Sequence, residues 1–524
     1  MRSTRVWGLV AITVCAVIAP GMWAQTSDPT LDDAYKLNHT LNGPEQLYHF
    51  IQVARVSTTV GTPPEQGKAL CLELFRLASE EKDLRRRIIG QKSAVRYLSY
   101  FDPAHAMSLL REVAVQHAEP GQRLFEDYRY DAAIDLFVNY LEKIKPAGLS
   151  TITDASRYLG NTGQYPYQAM AAVIQRLPKA LKGDTASIKG ETNNILSDAV
   201  SFYSRETYRN RHEEFLILLR SLLQLQDSEV SKDLAAETLN TYVQRLLHDR
   251  IDIDGDYYSH IYTATGSRIA FADRNHAFLF QVFPVIRRFN PDLATQLKQQ
   301  FPELDQATDE LKYISGGFVS SNLPPDEARR RHMIYLQESL VVRVKQRAAC
   351  DLNSASELAQ QVSDTGKRVV AFSTTVPALA RKDSAQARKL YNEQAQDALN
   401  LRQPADRFQA EVSLAVAAHS VKDLAQYRSM RDDAFVLGIN LINEEARNSP
   451  DKRIQNLSSF EDLQELVIRS SALSPDDVRN RINNLPENWL KAYLLVYEAE
   501  GHAVAGHSSS PTKCQDGAIA PVIP

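Results

Sequence analysis

A chain of 524 residues with 44% hydrophobic and 24% charged side chains, and a formal charge of −4 from 60 basic against 64 acidic residues, has an ordinary globular make-up. That composition excludes a disordered tail protein and a multi-span membrane protein, and the near-balance of charge, at a sequence pI near 6.3, leaves no basic footprint for nucleic acid. The length exceeds what one hydrophobic core fills, roughly 250–300 residues, so it implies several domains or one long repeat array.

The first element is a leader. Arg2 and Arg5 precede an apolar run from Val6 to Ala19 that Pro20-Gly21 interrupts, and Ala24 is a small residue at a cleavage point before Gln25. This pattern predicts a secretory signal peptide over residues 1–24, cleaved on export to the periplasm or the extracellular medium, with no membrane span left after cleavage. Cleavage removes Cys15, so Cys71, Cys350 and Cys514 remain and allow one intramolecular disulfide at most. Cys71, inside Ala69-Leu70-Cys71-Leu72, reads as a buried thiol, and a Cys350–Cys514 bridge stays open.

Residues 25–43 read as a polar lead-in, and from residue 44 onward the apolar spacing is helical in most windows. Ile134, Phe137, Leu141 and Ile144 share one face of a helix opening at Asp131. Asp102-Pro103, Ser474-Pro475 and Leu485-Pro486 put Pro at or near the first helical position, with acids nearby. Charge pairs at i,i+4, such as Glu81 with Arg85, Asp83 with Arg87 and Asp326 with Arg330, predict solvated helix faces. Alternating strand patterns are nearly absent, so the expected fold class is all-α.

Boundaries follow composition: an irregular helical region over 44–314, a Gly/Pro hinge at 315–325, a more regular region over 326–500 and a tail from 501 to 524 without helical pattern. Within the regular region a shift of 40 residues lays Ser373, Val376, Ala378, Lys382, Asp383, Ala385, Gln386 and Arg388 on identical residues at 413, 416, 418, 422, 423, 425, 426 and 428. Each copy reads as helix, Asp-capped turn, helix. Pro404…Phe408-Gln-Ala410 and Pro486…Leu490-Lys-Ala492 recur about two such units apart.

The pattern D-x-A-x-A-x-x-L at Asp102–Leu109 and Asp383–Leu390 resembles that of helical-repeat proteins of the tetratricopeptide or HEAT kind. The resemblance implies an α-solenoid of stacked antiparallel helix pairs and carries over no functional residue.

Catalytic signatures are mostly missing. Asp364-Thr-Gly-Lys367 lacks the upstream Gly of a phosphate loop, His212-Glu-Glu214 lacks a second His for zinc, and Ser449-Pro-Asp-Lys452 stands without companion motifs. Asp252-Ile-Asp254-Gly-Asp256 has the look of a calcium loop, but Arg250 and Ile261 occupy its first and closing ligand positions. No cofactor is expected, and Asp252, Asp254 and Asp256 are the residues that would take a metal. One segment, 254–276, gathers Asp256, Tyr257, Tyr258, His260, Tyr262, Arg268, Asp273 and His276, the residue types of a polar cleft; His260, His276 and Asp256 are its acid/base candidates.

The reading these features favour is an exported, non-enzymatic scaffold presenting a helical surface to a protein or peptide partner. The alternative is a secreted all-α enzyme acting on polysaccharide with its site near residues 254–276, and a third is a calcium or small-ligand module at Asp252–Asp256.

Overall fold

The computed structural model describes residues 28–114, 129–162, 164–205, 211–248, 259–262, 268–271, 274–307, 337–338, 340–348, 350–448 and 457–506. The chain is all-α. Its helices are α1 (Pro29–Asn38), α2 (Gly43–Ser57), α3 (Pro64–Ser79), α4 (Leu84–Phe101), α5 (Pro103–Leu109), α6 (Arg129–Ile144), α7 (Leu149–Asn161), α8 (Tyr167–Ala180), α9 (Thr185–Tyr203), α10 (Arg211–Ser221), α11 (Lys232–His248), α12 (Arg274–Phe289) and α13 (Pro291–Gln300). After a helical stretch at 340–348 follow α14 (Leu352–Gln360), α15 (Thr365–Lys382), α16 (Ser384–Leu399), α17 (Pro404–Ser420), α18 (Leu424–Asn448), α19 (Ser458–Leu473), α20 (Pro475–Asn483) and α21 (Asn488–Gly506). A single short antiparallel hairpin stands among them in the described residues, β1 (Ser259–Tyr262) against β2 (Arg268–Phe271), pairing His260 with Ala270 and Ile261 with Ile269.

Acidic caps set the helix starts. Asp28, Asp83, Asp102, Asp351, Asp364, Asp383 and Asp423 each accept a hydrogen bond from a backbone N–H two or three residues on, at 2.7 to 3.2 Å. Each satisfies one of the free donors at a helix N-terminus. The Asp364-Thr-Gly-Lys367 stretch is therefore the opening turn of α15. The Asp83 cap opens α4 at Leu84, so Glu81 precedes the helix, and its carboxylate meets Arg86 at 3.0 Å.

The 40-residue offset has a structural counterpart. Ala387, Tyr391, Gln394 and Ala398 are the buried positions of α16, and Tyr427, Arg431, Ala434 and Gly438 are buried at the same spacing in α18. The connections differ, however. α15 runs directly into Asp383, whereas α17 stops at Ser420 and Lys422 takes a left-handed φ of 61° before Asp423. Helix α6 starts at Arg129, two residues before Asp131; Phe137 and Leu141 are buried, but Ile144 is 36% exposed because Lys145 turns the chain with φ 62°. Residues 29–38, inside the stretch read as a polar lead-in, form α1.

Packing orders the helices differently from the chain. α15 packs on α17, α17 on α19 and α19 on α21; α21 then packs on α1 and α2, and the series continues through α4, α6, α8, α10 and α12. The first and last described helices thus meet in the middle of the spatial series, and one core cluster takes in residues from Leu31 to Ala307 together with Phe408 to Ala499. Two smaller clusters sit around Val369–Tyr427 and Leu340–Ala371.

The junction is stitched by charge. Arg55 of α2 holds Glu500 of α21 in a bidentate pair at 2.8 and 2.7 Å. Arg479 bridges Glu498 at 3.0 Å and Asp33 at 3.1 Å, His502 bonds Asp28 at 3.2 Å, and the His49 ring meets Tyr493 edge-on.

Helix α21 continues to Gly506, past the expected start of the tail at 501, because Gly501 lets it cross α19 closely. A Cβ there would lie 2.4 Å from the Ile468 carbonyl oxygen. Backbone cannot yield as a side chain does, so Gly501→Ala is expected to cost about 2 kcal/mol. A lowered urea midpoint with an unchanged denaturant slope checks this; an unchanged midpoint refutes the close crossing.

Candidate functional site

The residues singled out from sequence are scattered. Asp252, Asp254, Asp256, Tyr257, Tyr258 and Asp273 lie outside the described residues, as do Ser449–Lys452, His507, Cys514 and the 315–325 stretch. His260 and Tyr262 stand on β1 and Arg268 on β2, so these parts of the expected cleft-lining connection are strand. The missed signal is the pair of β-prone runs Ser-His-Ile-Tyr and Arg-Ile-Ala-Phe flanking Gly266. His276 opens α12 with its ring edge-on to Phe301 at 4.9 Å. His212 is buried beside Tyr203. Cys71 is a free, fully buried thiol whose pKa burial drives upward, whereas Cys350 is disulfide-bonded. Among the described residues, no group of three or more His, Cys, Asp and Glu is placed to hold a metal, and no helix is long and apolar enough to cross a membrane.

What the structure does assemble is a cleft of about 610 Å³ between α18 and α20, lined by Arg428, Arg431, Asp432, Asp477, Asn480, Arg481 and Asn484. Helical spacing builds both walls. Arg428, Arg431 and Asp432 stand at i, i+3 and i+4 on α18, and Asp477, Asn480, Arg481 and Asn484 at i, i+3, i+4 and i+7 along α20 and its cap. Arg431, 5% exposed, is the fixed centre. Its Nε and Nη2 donate to Asp432 at 3.0 and 2.9 Å, its Nη1 donates to Asp477 at 3.1 Å, and its guanidinium lies over the Tyr427 ring at 5.3 Å. Arg481 also pairs with Asp432. Arg428 and Asn480 are exposed and make no side-chain bond among the described residues. Each wall was visible in the sequence as a polar stripe; only tertiary packing sets the stripes face to face.

A second polar cluster joins the 340–348 helix, α17 and α19. Lys345 reaches Glu465 at 2.7 Å, Arg469 reaches the same carboxylate at 2.9 Å, and Gln409 donates to Asp462 at 3.0 Å. Burial pushes the Asp462 carboxyl up to about 6, with Glu465 adding to the rise and the Gln409 hydrogen bond opposing it. Burial also acts to raise Glu465, but the Lys345 and Arg469 cations overcome it and hold this carboxyl below its usual value. Two acids three residues apart on one helix are thereby driven in opposite directions.

Asp462 has a pH consequence. Its folded pKa lies above the unfolded one, so its contribution to stability is complete below about pH 4 and is lost as pH rises through 6. Asp462→Asn keeps the acceptor for Gln409 and carries no charge. It is expected to stabilise the fold at pH 8 by about 1–2 kcal/mol, solvent screening of a half-buried group included, and to do nothing at pH 4. Melting temperatures of both proteins at the two pH values decide it; an equal difference at both sinks it.

No family model, no curated protein and no solved structure matches this chain.

Proposed function

We propose that the chain is an exported helical-repeat scaffold, an α-solenoid of paired antiparallel helices that binds a protein or peptide partner in the periplasm or extracellular medium. The observation that carries the reading is the recurrence of buried positions 387, 391, 394 and 398 at 427, 431, 434 and 438, on helices that each follow an Asp-capped turn. Equivalent units of this kind bury their apolar faces on one another and leave an extended surface for recognition. The order of helix packing, running from α15 to α12 by way of α21, α1 and α2, supports a continuous array. Export rests on the Arg2–Ala24 leader pattern.

Chemical cross-linking of the full chain, expressed with its leader, followed by mass spectrometry tests both parts. The expected result is an N-terminus at Gln25 in the extracytoplasmic fraction, and cross-links to one partner that cluster on a single face and vanish with excess unlabelled chain. Cross-links spread over every face, or a chain retained in the cytoplasm, overturn it.

One observation favours a second reading, an exported all-α enzyme acting on polysaccharide: the opposite tuning of Asp462 and Glu465 is the division of labour that acid/base pairs use. Turnover of a polysaccharide panel that is abolished by Asp462→Asn would replace the scaffold; turnover abolished by His260→Ala instead would move the site to the hairpin.

A further inference from the structure

We propose that the cleft between α18 and α20 binds an acidic peptide segment, taking the carboxylate of an Asp or Glu side chain on Arg428 and Arg431. This deepens the scaffold reading and rests on it. All seven lining residues are charged or carboxamides, which disfavours an apolar helix seated in a groove, the mode that depends on hydrophobic anchors. The lining contains no aromatic ring on which a sugar would stack, since Tyr427 lies under the Arg431 guanidinium.

Charge narrows the ligand further. Three arginines against two aspartates make the cleft locally positive on a chain whose formal charge is −4. A phosphate or sulfate dianion would meet the Asp432 and Asp477 carboxylates, whereas a single carboxylate matches the small surplus of positive charge. Arg431 is held rigid by its two aspartates, and with three of its five N–H groups engaged it keeps one hydrogen on each of Nη1 and Nη2 for a ligand. Arg428, one turn earlier and unpartnered among the described residues, supplies a planar fork for the same carboxylate. Asn480 and Asn484 each offer a donor and an acceptor, the complement of a peptide backbone amide. A volume of about 610 Å³ holds a few extended residues.

The test is fluorescence anisotropy with the full mature chain and a labelled hexapeptide carrying two glutamates, beside its glutamine and lysine analogues. The expected result is saturable binding of the glutamate peptide that weakens as salt rises, with the glutamine analogue at least about tenfold weaker. Arg428→Ala is expected to weaken binding about tenfold with an unchanged melting temperature, because the side chain is exposed and makes no hydrogen bond or ion pair among the described residues; Asn480→Ala is expected to weaken it about threefold. Equal binding of the glutamine analogue, or full binding by Arg428→Ala, overturns the proposal. So does displacement of the peptide by inorganic phosphate or by polygalacturonate at lower concentration than by the unlabelled peptide, which would make the cleft a reader of phosphate or of acidic glycan. Absence of any peptide binding removes this assignment and leaves the scaffold reading to the cross-linking experiment, which does not depend on Arg428.

Discussion

A chain ended at Asn484 is expected to lose folded structure in α1 and α2 as well as in α19 and α20, although α2 and the residues it grips on α21 lie as far as 445 positions apart in sequence. The truncation removes α21, whose Leu490, Tyr493, Leu494, Leu495, Val496, Tyr497 and Ala499 are at most 3% exposed. Each large apolar side chain of this kind contributes roughly 1.5–3 kcal/mol on burial, so their sum matches or exceeds the 5–15 kcal/mol by which a domain is stable. The truncation also strands Arg55, Asp28 and Arg479 without Glu500, His502 and Glu498. Hydrogen exchange read by mass spectrometry over residues 28–57 distinguishes this arrangement from a linear array. In a linear array losing the last helix disturbs only the neighbouring unit, and the N-terminal helices keep their protection. Retained protection in α1 and α2 would show that they do not depend on α21.

Arg211→Leu is expected to cost about 3–5 kcal/mol. Arg211 and Glu214 open α10 with side chains 3% and 9% exposed, paired at 2.6 Å, and Arg211 Nη2 also donates to the Tyr165 carbonyl at 2.6 Å while its guanidinium lies 4.7 Å from the Tyr167 ring centre. Removing the cation takes a charged partner from the Glu214 carboxylate, 9% exposed, and a donor from the Tyr165 carbonyl, beside the Tyr167 ring that packs on Tyr165 and Phe215. Replacing both members, as Arg211→Leu with Glu214→Leu, is expected to recover most of the loss, since two apolar groups need no partner. Urea midpoints of the single and double variants decide the matter. A double variant no more stable than the single one would show that packing against the aromatic rings, and not charge, is what Arg211 provides.

The helical face of the Asp383 and Asp423 turns was legible because a cap acts on backbone two or three residues away, within reach of any sequence window. The same reach explains why Asp102-Pro103 read as a helix start. Where the reading erred, the cause was also local. The stretch from Gly501 shows no helical pattern in the sequence, whereas its missing Cβ admits the Ile468 carbonyl of a neighbouring helix and α21 runs on to Gly506. The hairpin escaped because four-residue strands are too short to show alternation against a helical background.

The candidate site was not legible in the same way. Arg428 and Arg431 belong to one stripe and Asp477, Asn480 and Arg481 to another, each unremarkable alone as a polar helix face. Asp477 read simply as an acid in a first turn; its partner Arg431 lies 46 residues earlier. Asp462 and Glu465 carried no special mark either, because the rise of one comes chiefly from burial, which packing imposes, and the fall of the other depends on Lys345 from another helix as well as on Arg469 of its own.

By itself the sequence determined the all-α class, several Asp- and Pro-marked helix starts and the 40-residue recurrence, since capping, proline placement and apolar period are interactions within a few residues of one another. Tertiary structure alone decided that α21 is clasped by α1 and α2, that α18 and α20 enclose a charged cleft, and that Asp462 and Glu465 part in acidity. Those outcomes depend on the accumulated packing angles of many helices, which no short window contains, and on the burial that packing imposes on each charge.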